Sequence, residues 1–325
     1  MDNLLSSLKE LLKKNPEIFD SYADLISCIV NNAIPMVVSV IGGDKSHGAF
    51  APVASGSGLI IDSNGYILTN SHLITGYSKI FVMLQSGKPY EGKVVGNDPV
   101  TDIAVLHINA SKLPSATISN PAALLGQLVI AIGNPYGYQS TVSTGIVSAI
   151  DRRFQGENGR VIPHVIQHTA PLNPGSSGGP LINSNGVVMG LNTAIISIGH
   201  GIGFAIPAKT FSYITTELLS KGKVTRPYIG IAAIPKKNTL NFIRLHDLIG
   251  NTILEIVNID DSGPSKKAGI LKGDRLIKIG ETFVFSVDEI YDALTNWPIG
   301  NSFTATILRG EKRMELPVTP VERQL

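Results

Sequence analysis

The chain has 325 residues, of which 43% are hydrophobic, 16% are charged and 33 are glycine, a balance typical of a globular protein large enough for two domains. The formal net charge of +2 gives no basis for a nucleic-acid or anionic-membrane partner. The single cysteine, Cys28, excludes an internal disulfide and a cysteine-based metal site.

The first 35 residues are predicted to be helical. Leucines recur among charges in residues 1–14, which indicates an amphipathic helix rather than the basic and apolar layout of a secretion signal. No run of about 18 apolar residues is present, so no membrane span is expected, and the default compartment is the cytoplasm. A second helix follows Pro16, with apolar residues at helical spacing from Ile18 to Ile29. Cys28 lies in this stretch, and we expect its thiol to be buried.

From residue 36 to about residue 207 the pattern is one of short strands. β-Branched residues recur at short intervals between turn residues, with almost no helix among them. The sequences DSNG at 62–65 and NSNG at 183–186 predict hairpin turns, and residues 42–52 are predicted to be a loop. Strands without intervening helices cannot build a doubly wound sheet, so one or two closed antiparallel barrels are expected.

A short helix over 210–220 and a polar link at 221–225 are predicted to end this region. The rest of the chain is predicted to form a smaller unit, with strands near 228–234, 252–257, 274–279 and 303–308 and a helix from about Asp288 to Asn296. The expected organisation is a helical segment over 1–35, a mostly β domain over 36–220, a linker over 221–225 and a second domain over 226–321.

A bend rich in glycine and proline, residues 173–181 (NPGSSGGPL), surrounds Ser177. Glycines on both sides let main-chain N–H groups turn inward, as a nucleophilic serine with an oxyanion hole requires. A loop without chemistry is the competing interpretation of this segment. A nucleophilic serine also needs a base and a group that orients it. His72 follows a predicted strand directly, and Asp102 precedes a strongly apolar strand, where it could equally be a solvated strand end.

The order His72, Asp102, Ser177 distinguishes two kinds of serine hydrolase. The sequence GSSGG also fits the Gly-x-Ser-x-Gly elbow of α/β-hydrolases, which requires the order Ser, Asp, His and a helix after the serine. Here residues 180–182 (PLI) and an Asn-Gly hairpin follow instead. The elbow interpretation is therefore rejected.

Five segments in the same order resemble the HtrA/Deg proteases, which are chymotrypsin-like serine proteases that carry PDZ domains. They are 56–61 (GSGLII) with 65–72 (GYILTNSH), 101–106 (TDIAVL), 133–135 (GNP), 173–181 (NPGSSGGPL) and 201–207 (GIGFAIP). The resemblance spans about residues 20–320. It implies a mostly β chain, in which a chymotrypsin-like double antiparallel β-barrel protease domain over 36–220 is followed by a single PDZ domain over 226–321.

The resemblance also implies roles for individual residues. His72 is expected to be the general base, Asp102 to orient it, and Ser177 to attack the scissile carbonyl. The main-chain amides of Gly175 and Ser177 are expected to form the oxyanion hole. No metal or organic cofactor is implied.

Two positions depart from the family pattern. Ser176 stands where the family usually has Asn, and little effect is expected. Residues 168–171 (HTAP) stand where the family tends to have Thr-Asp-Ala-Ala, and we expect the missing Asp to alter how the activation loop is held. The wall of the substrate pocket is expected to consist of Pro171, Leu172, Thr193, Ala194 and Ile195. None of these residues is charged, which favours cleavage after small or medium aliphatic residues.

The C-terminal unit resembles a PDZ domain at residues 226–231 (RPYIGI) and 262–276 (SGPSKKAGILKGDRL). Such a domain binds the C-terminus of a peptide as an added strand, here beside residues 229–232, and holds the carboxylate with main-chain amides. The expected peptide-binding residues are Tyr228, Ile229, Gly230, Ile231 and Ile290. Packing of the 288–296 helix on the domain's own core is the competing interpretation for Ile290.

These features imply a protein-quality-control endopeptidase, active in the stress response, that cleaves unfolded or damaged polypeptides and is regulated by peptides at the PDZ groove. A non-proteolytic peptide-binding scaffold or chaperone is the alternative. The resemblance implies a homotrimer or a higher homo-oligomer, because members of the family with one PDZ domain resemble trimers joined by N-terminal segments, which here would involve residues near Phe19 and Tyr22. The family is mostly extracytoplasmic, whereas this chain shows no export signal.

Overall fold

The structure is a computed structural model that describes residues 18–46, 49–118, 122–134, 140–155, 161–195, 201–246, 248–295 and 297–322. The first expected helix, over residues 1–14, lies outside the described residues. The chain divides into two compact units, Met1–Val224 and Thr225–Leu325. Strands dominate both units, which confirms the mostly β prediction. Among the helices in the described ranges, none is long and apolar enough to cross a bilayer.

Helix α1, Ile18–Ala33, packs one apolar stripe against the core of the first unit. The stripe includes Ile26, Ile29 and Ala33, which recur at helical spacing. Cys28 lies outside this stripe and is exposed, so the expectation that its thiol is buried is wrong. Hydrophobic residues on both sides of a residue in the sequence do not place it on the buried face of a helix.

The first sheet has seven antiparallel strands in the order β5-β4-β1-β2-β3-β7-β6. They are β1 Val37–Ser46, β2 Ala49–Asp62, β3 Tyr66–Thr69, β4 Lys79–Met83, β5 Pro89–Glu91, β6 Lys93–Asp98 and β7 Ile103–His107. The turn between β2 and β3 ends at Gly65, whose φ of 96° confirms the Asn-Gly prediction.

The predicted loop at residues 42–52 is wrong, because β1 and β2 pair through it as one long hairpin. The pairing shifts by one residue between Gly42 and Gly43. A Cβ on Gly43 would lie 2.2 Å from the carbonyl oxygen of Ala51. The glycine pair therefore marks a bulge with close backbone approach inside a hairpin, rather than a loop.

The second sheet closes into a barrel in the order β10-β13-β12-β11-β8-β9. Its strands are β8 Leu128–Gly133, β9 Thr141–Gln155, β10 Val161–His168, β11 Pro180–Asn183, β12 Val188–Ile195 and β13 Gly203–Pro207. Helix α2, Ala208–Lys221, follows and ends at Gly222, whose φ is 72°. One apolar cluster contains residues from both sheets, such as Leu59 and Leu68 from the first and Ile130 and Leu191 from the second. The two sheets therefore share a core.

The second unit is a sheet covered by short helices. The strands are β14 Pro227–Tyr228, β15 Ile231–Lys237, β16 Thr252–Ile259, β17 Arg275–Ile279, β18 Thr282–Phe283, β19 Phe303–Arg309, β20 Lys312–Val318 and β21 Val321–Glu322. The helices are α3 Leu240–Leu245, α4 Pro264–Lys267 and α5 Val287–Thr295. The main sheet runs β15-β16-β17-β19-β20, so β15 is an edge strand.

Candidate active site

His72 and Asp102 meet because the strands beside them pair. The end of β3 is aligned with the start of β7 through Thr69 and Ala104. The short 3-10 turn Ser71–Leu73, which follows β3 and carries His72, therefore lies at the same edge as Asp102, which directly precedes β7. Nδ1 of His72 is 2.9 Å from Oδ2 and 3.0 Å from Oδ1 of Asp102. The main-chain N–H of His72 also donates to Oδ1 at 3.0 Å. The imidazole is thus held at a fixed angle to the carboxylate.

Asp102 is fully buried and surrounded by donors. Its φ of 61° is in the left-handed region, which aspartate tolerates better than most residues. Its carbonyl oxygen accepts the Ser71 N–H at 3.2 Å and the Asn70 side-chain amide at 2.9 Å. Oδ2 accepts the hydroxyl of Thr193 at 2.5 Å. A buried carboxylate that is hydrogen-bonded on both oxygens is fixed in position and does not need water.

Ser177 lies in the segment between β10 and β11, where Gly175 and Gly178 have φ values of 98° and 84°. Its hydroxyl donates to the carbonyl oxygen of Thr193 at 3.2 Å. Thr193 therefore contacts both Asp102 and Ser177, one through its side chain and the other through its backbone. Among the described residues, the Ser177 hydroxyl makes this contact and no hydrogen bond to His72.

The main-chain N–H groups of Gly175 and Ser177 make no hydrogen bond to an acceptor among the described residues. The carbonyl oxygens of both residues, in contrast, accept hydrogen bonds from Ser57. Two neighbouring N–H groups left free at a glycine bend are the arrangement that an oxyanion would require.

The residues expected to form the pocket wall have different environments. Leu172 is half-buried and packs on the apolar cluster of the barrel. The Pro171 carbonyl accepts the Ser143 hydroxyl at 2.6 Å. The hydroxyl of Thr193 donates to Asp102, a contact that the strand pattern around residue 193 does not predict.

Ala194 and Ile195 continue strand β12 beyond Thr193, and Ile195 pairs with Gly203 of β13. The side chains of these two residues are outside the described part of the structure. On its other edge, Gly203 pairs with His168 of β10. The three strands thus bring His168 to the same part of the barrel as the expected pocket wall.

His168 is fully buried, with its ring against the backbone of Gly203. A Cβ on Gly203 would lie 2.5 Å from the ring, and neither ring nitrogen is hydrogen-bonded within the described structure. Burial lowers the pKa of His168 to about 4, because a charged imidazolium is poorly solvated there. The polar groups of the Asn192 side chain and the Ala170 backbone raise this pKa, but by less than burial lowers it. The imidazole is therefore neutral near pH 7. The next residue, Thr169, accepts the Ile146 N–H on its hydroxyl at 2.9 Å.

In the second unit, the segment from Tyr228 to Ile231 leads into the edge strand β15. Gly230 has a φ of 74°, and the N–H groups of Ile229 and Gly230 have no acceptor within the described ranges. The Tyr228 hydroxyl donates to Asp260 at 3.1 Å. These free amides beside an edge strand are suited to a peptide carboxylate.

Ile290 lies on α5, whose buried side faces the core of the second unit. Its side chain is 6% exposed and belongs to the same apolar cluster as Leu294 and Ile256. Tyr291, the next residue, is 54% exposed. The helix thus packs on its own domain through Ile290.

Two family patterns match the chain, the Trypsin-like peptidase domain over residues 56–191 and the PDZ domain over residues 227–319. Serine endoprotease DegS of Escherichia coli K12 is 34% identical over 335 residues, which cover 97% of this chain and 92% of DegS. A probable periplasmic DegP-like serine endoprotease of Chlamydia trachomatis is 38% identical over 275 residues, which cover 81% of this chain. The match covers only 53% of that relative, so the chain spans about half its length.

Solved structures give the same result. The serine endoprotease from Yersinia pestis superimposes with a TM-score of 0.74 at 33% identity, covering 91% of this chain and 97% of that one. The HtrA-type protease AlgW, solved with a decapeptide, gives a TM-score of 0.79 at 29% identity, covering 91% of this chain and 98% of AlgW. The chain belongs to the HtrA/Deg family of serine endoproteases, as shown by the order of its two domains, its two family matches and its near full-length similarity to DegS.

Proposed function

We propose that the chain is a serine endopeptidase in which His72 is the general base, Asp102 orients it and Ser177 is the nucleophile. The observation that carries this proposal is the contact of His72 Nδ1 with both oxygens of the fully buried Asp102 carboxylate, at 2.9 and 3.0 Å. An imidazole held through Nδ1–H presents Nε2 as its proton acceptor.

In the first step the oxygen of Ser177 bonds to the scissile carbonyl carbon, and its proton passes to Nε2 of His72. The tetrahedral intermediate collapses, the C–N bond breaks, and His72 gives the proton to the leaving amine. Water then attacks the acyl-enzyme ester by the same route, which releases the acid and restores Ser177. Throughout, the Asp102 carboxylate stabilises the imidazolium without taking its proton.

The N–H groups of Gly175 and Ser177 are proposed to bind the oxyanion. Each such donor contributes roughly 3 kcal/mol of transition-state stabilisation in enzymes where one has been removed. The absence of a competing acceptor for either N–H among the described residues supports this assignment.

For specificity, we propose cleavage after small or medium aliphatic residues. The expected pocket residues carry no charge. The pocket therefore offers no counter-ion for a lysine or arginine of the substrate.

The proposed substrates are unfolded or damaged polypeptides, and the proposed regulators are peptides whose C-termini bind beside β15. An edge strand next to the free amides of Ile229 and Gly230 supports this second site. A homotrimer is also proposed, supported by Tyr22 and Leu25, which are 45% and 40% exposed on α1. Apolar side chains exposed together on one helix are suited to contact with another subunit.

The test compares casein digestion by the wild-type chain and by Ser177→Ala, with and without hydrophobic C-terminal peptides and mild heating. Digestion by the wild type alone is expected. Ser220→Ala is the matched control, because Ser220 is exposed on α2 and its hydroxyl bonds only to carbonyls of its own helix. Equal digestion by wild type and Ser177→Ala, or none by either under all conditions, would favour the scaffold or chaperone alternative.

A further inference from the structure

Ser57 is a fully buried residue of β2 that joins the first sheet to the segment around Ser177. Its N–H donates to the Ser177 carbonyl at 2.7 Å, and its hydroxyl donates to the Gly175 carbonyl at 2.7 Å. The same hydroxyl accepts the Asn134 N–H at 2.8 Å, and the Ser57 carbonyl accepts the Thr69 hydroxyl at 2.7 Å. All three polar groups of Ser57 are therefore used.

The contact with Gly175 matters because of which peptide group it holds. The peptide between Gly175 and Ser176 separates the two N–H groups assigned to the oxyanion hole. Its carbonyl accepts the Ser57 hydroxyl, and its N–H donates to the Asn173 carbonyl at 2.9 Å. Because both ends of this peptide are held, the main chain between the two N–H groups is fixed, and the Gly175 N–H can turn only by rotation about the bonds of Gly175 itself.

The position requires a hydroxyl. The group must accept from Asn134 and donate to Gly175 at the same time, which among small side chains only serine and threonine do well. The space is closed by glycines, since a Cβ on Gly133 would lie 3.1 Å from the Ser57 hydroxyl, and one on Gly178 would lie 2.0 Å from the Ser57 carbonyl. Alanine at position 57 would leave a buried donor and a buried acceptor without partners.

We propose that Ser57 is a positioning residue for the oxyanion hole. Its hydroxyl fixes the peptide between Gly175 and Ser176, so that the N–H groups of Gly175 and Ser177 face the same point. Ser57 acts through Gly175 and does not touch the substrate. This inference rests on the proposed endopeptidase function.

Asn134 offers a matched control. Its side-chain amide donates to the Ser39 hydroxyl at 2.9 Å, and its side-chain oxygen accepts the Ser140 N–H at 2.7 Å. Ser39→Ala therefore removes a buried hydrogen bond to the same Asn134, but it leaves the contact between Ser57 and Gly175 intact.

The experiment measures kcat and KM on a peptide anilide for wild type, Ser57→Ala, Ser57→Thr and Ser39→Ala. Each kcat is divided by the concentration of active sites, which is determined by complete titration with a fluorophosphonate. For Ser57→Ala, kcat is expected to fall roughly 10- to 100-fold with little change in KM. This loss is smaller than the roughly 100- to 1000-fold loss of kcat that follows removal of an oxyanion-hole donor, because both N–H groups remain present. Affinity for a peptide aldehyde, whose adduct places an oxyanion in the hole, is expected to fall by the same factor. Ser57→Thr should recover most of kcat, and Ser39→Ala should keep it.

A structural role alone would lower the melting temperature and the titrated fraction, but not kcat per active site. The inference is overturned if Ser57→Ala keeps kcat and aldehyde affinity within about threefold of wild type, or if Ser39→Ala loses as much. Should Ser57→Ala not fold, Ser57→Cys keeps the size with a weak donor and must show the same loss of kcat. An inactive wild-type chain would instead reject the endopeptidase proposal itself.

Discussion

Thr193 donates its hydroxyl hydrogen to Oδ2 of Asp102 over 2.5 Å, and the same residue accepts the Ser177 hydroxyl on its carbonyl at 3.2 Å. One residue of β12 thus joins Asp102, the proposed orienting carboxylate, to Ser177, the proposed nucleophile. The strand lies in the closed barrel, whereas His72 and Asp102 follow and precede strands of the first sheet. The site therefore depends on the packing of one sheet against the other.

Thr193→Val keeps the shape of the side chain and the carbonyl but removes the donor to Asp102. We expect kcat/KM to fall roughly 10- to 100-fold, since a hydrogen bond to a charged group contributes about 1.5 to 3 kcal/mol. Steady-state kinetics on a peptide anilide measure the effect, and Thr193→Ser is the control that should retain activity. Full activity in the valine variant would show that the other donors suffice to hold Asp102.

The sequence predicted the fold class and the pairing of His72 with Asp102, which the structure shows at 2.9 Å. It grouped Ser177 with them because the order of the three residues along an all-β chain fits one topology and excludes another, and that grouping stays a prediction. It assigned Thr193 only to the pocket wall, since nothing in a strand pattern tells which way a hydroxyl points. The Gly-Ser-Gly at 56–58 belongs to a family motif, but the proposed role of Ser57 depends on a partner 118 residues away.

Two local expectations failed for related reasons. The glycines at 42–43 predict a loop, but a bulge in a hairpin uses the same residues. Cys28 has apolar neighbours in sequence, yet it lies outside the buried stripe of α1. In both cases tertiary packing determined the outcome.

The buried His168 predicts loss of stability in acid. Burial lowers its pKa from the ordinary 6.5 to about 4, so between these values the unfolded chain binds a proton that the folded chain does not. This contribution is fully present above pH 6.5 and is lost as the pH falls towards 4. It amounts to about 2 kcal/mol by pH 5, at 1.36 kcal/mol per pKa unit.

Urea unfolding at pH 7.5 and pH 5 measures this effect. In His168→Gln, which does not titrate, the drop in the free energy of unfolding of the first unit should be smaller by about that 2 kcal/mol. An equal drop in both proteins would show that other groups cause the acid sensitivity.

Arg309 holds the loop before β17 in the second unit. Its Nε and Nη2 donate to the two oxygens of Asp274, each at 2.8 Å, and Nη2 also donates to the Gly269 carbonyl at 2.7 Å. The Asp274 side chain is 2% exposed. Arg309→Met leaves a buried carboxylate without its cation, and we expect the unit to lose about 3 kcal/mol of stability.

The chain's one tryptophan, Trp297, lies in this unit, so its fluorescence during urea unfolding reports on that unit alone. The matched control is Lys266→Met, which removes an exposed ion pair with Asp261 and should change stability by less than about 0.5 kcal/mol. Similar changes in the free energy of unfolding for Arg309→Met and Lys266→Met would mean that the ion pair of Arg309 with Asp274 contributes little to stability.

Gly230 precedes the edge strand with a φ of 74°. Gly230→Ala is expected to weaken binding of a hydrophobic C-terminal peptide roughly 10-fold, because a side chain in this conformation costs about 1 to 2 kcal/mol and turns the free amides. Fluorescence anisotropy of a labelled peptide measures the affinity, and the same peptide with an amidated C-terminus should bind neither protein. Tight binding of the amidated peptide would argue against capture of the carboxylate.

The most direct test of the central claim is labelling with a fluorophosphonate followed by peptide mapping. We predict one label per wild-type chain, on Ser177 and not on the adjacent Ser176, and labelling in His72→Ala that is at least 100-fold slower, since a base contributes roughly 10²- to 10⁴-fold. A label on Ser176, or equal labelling rates in wild type and His72→Ala, would contradict the account.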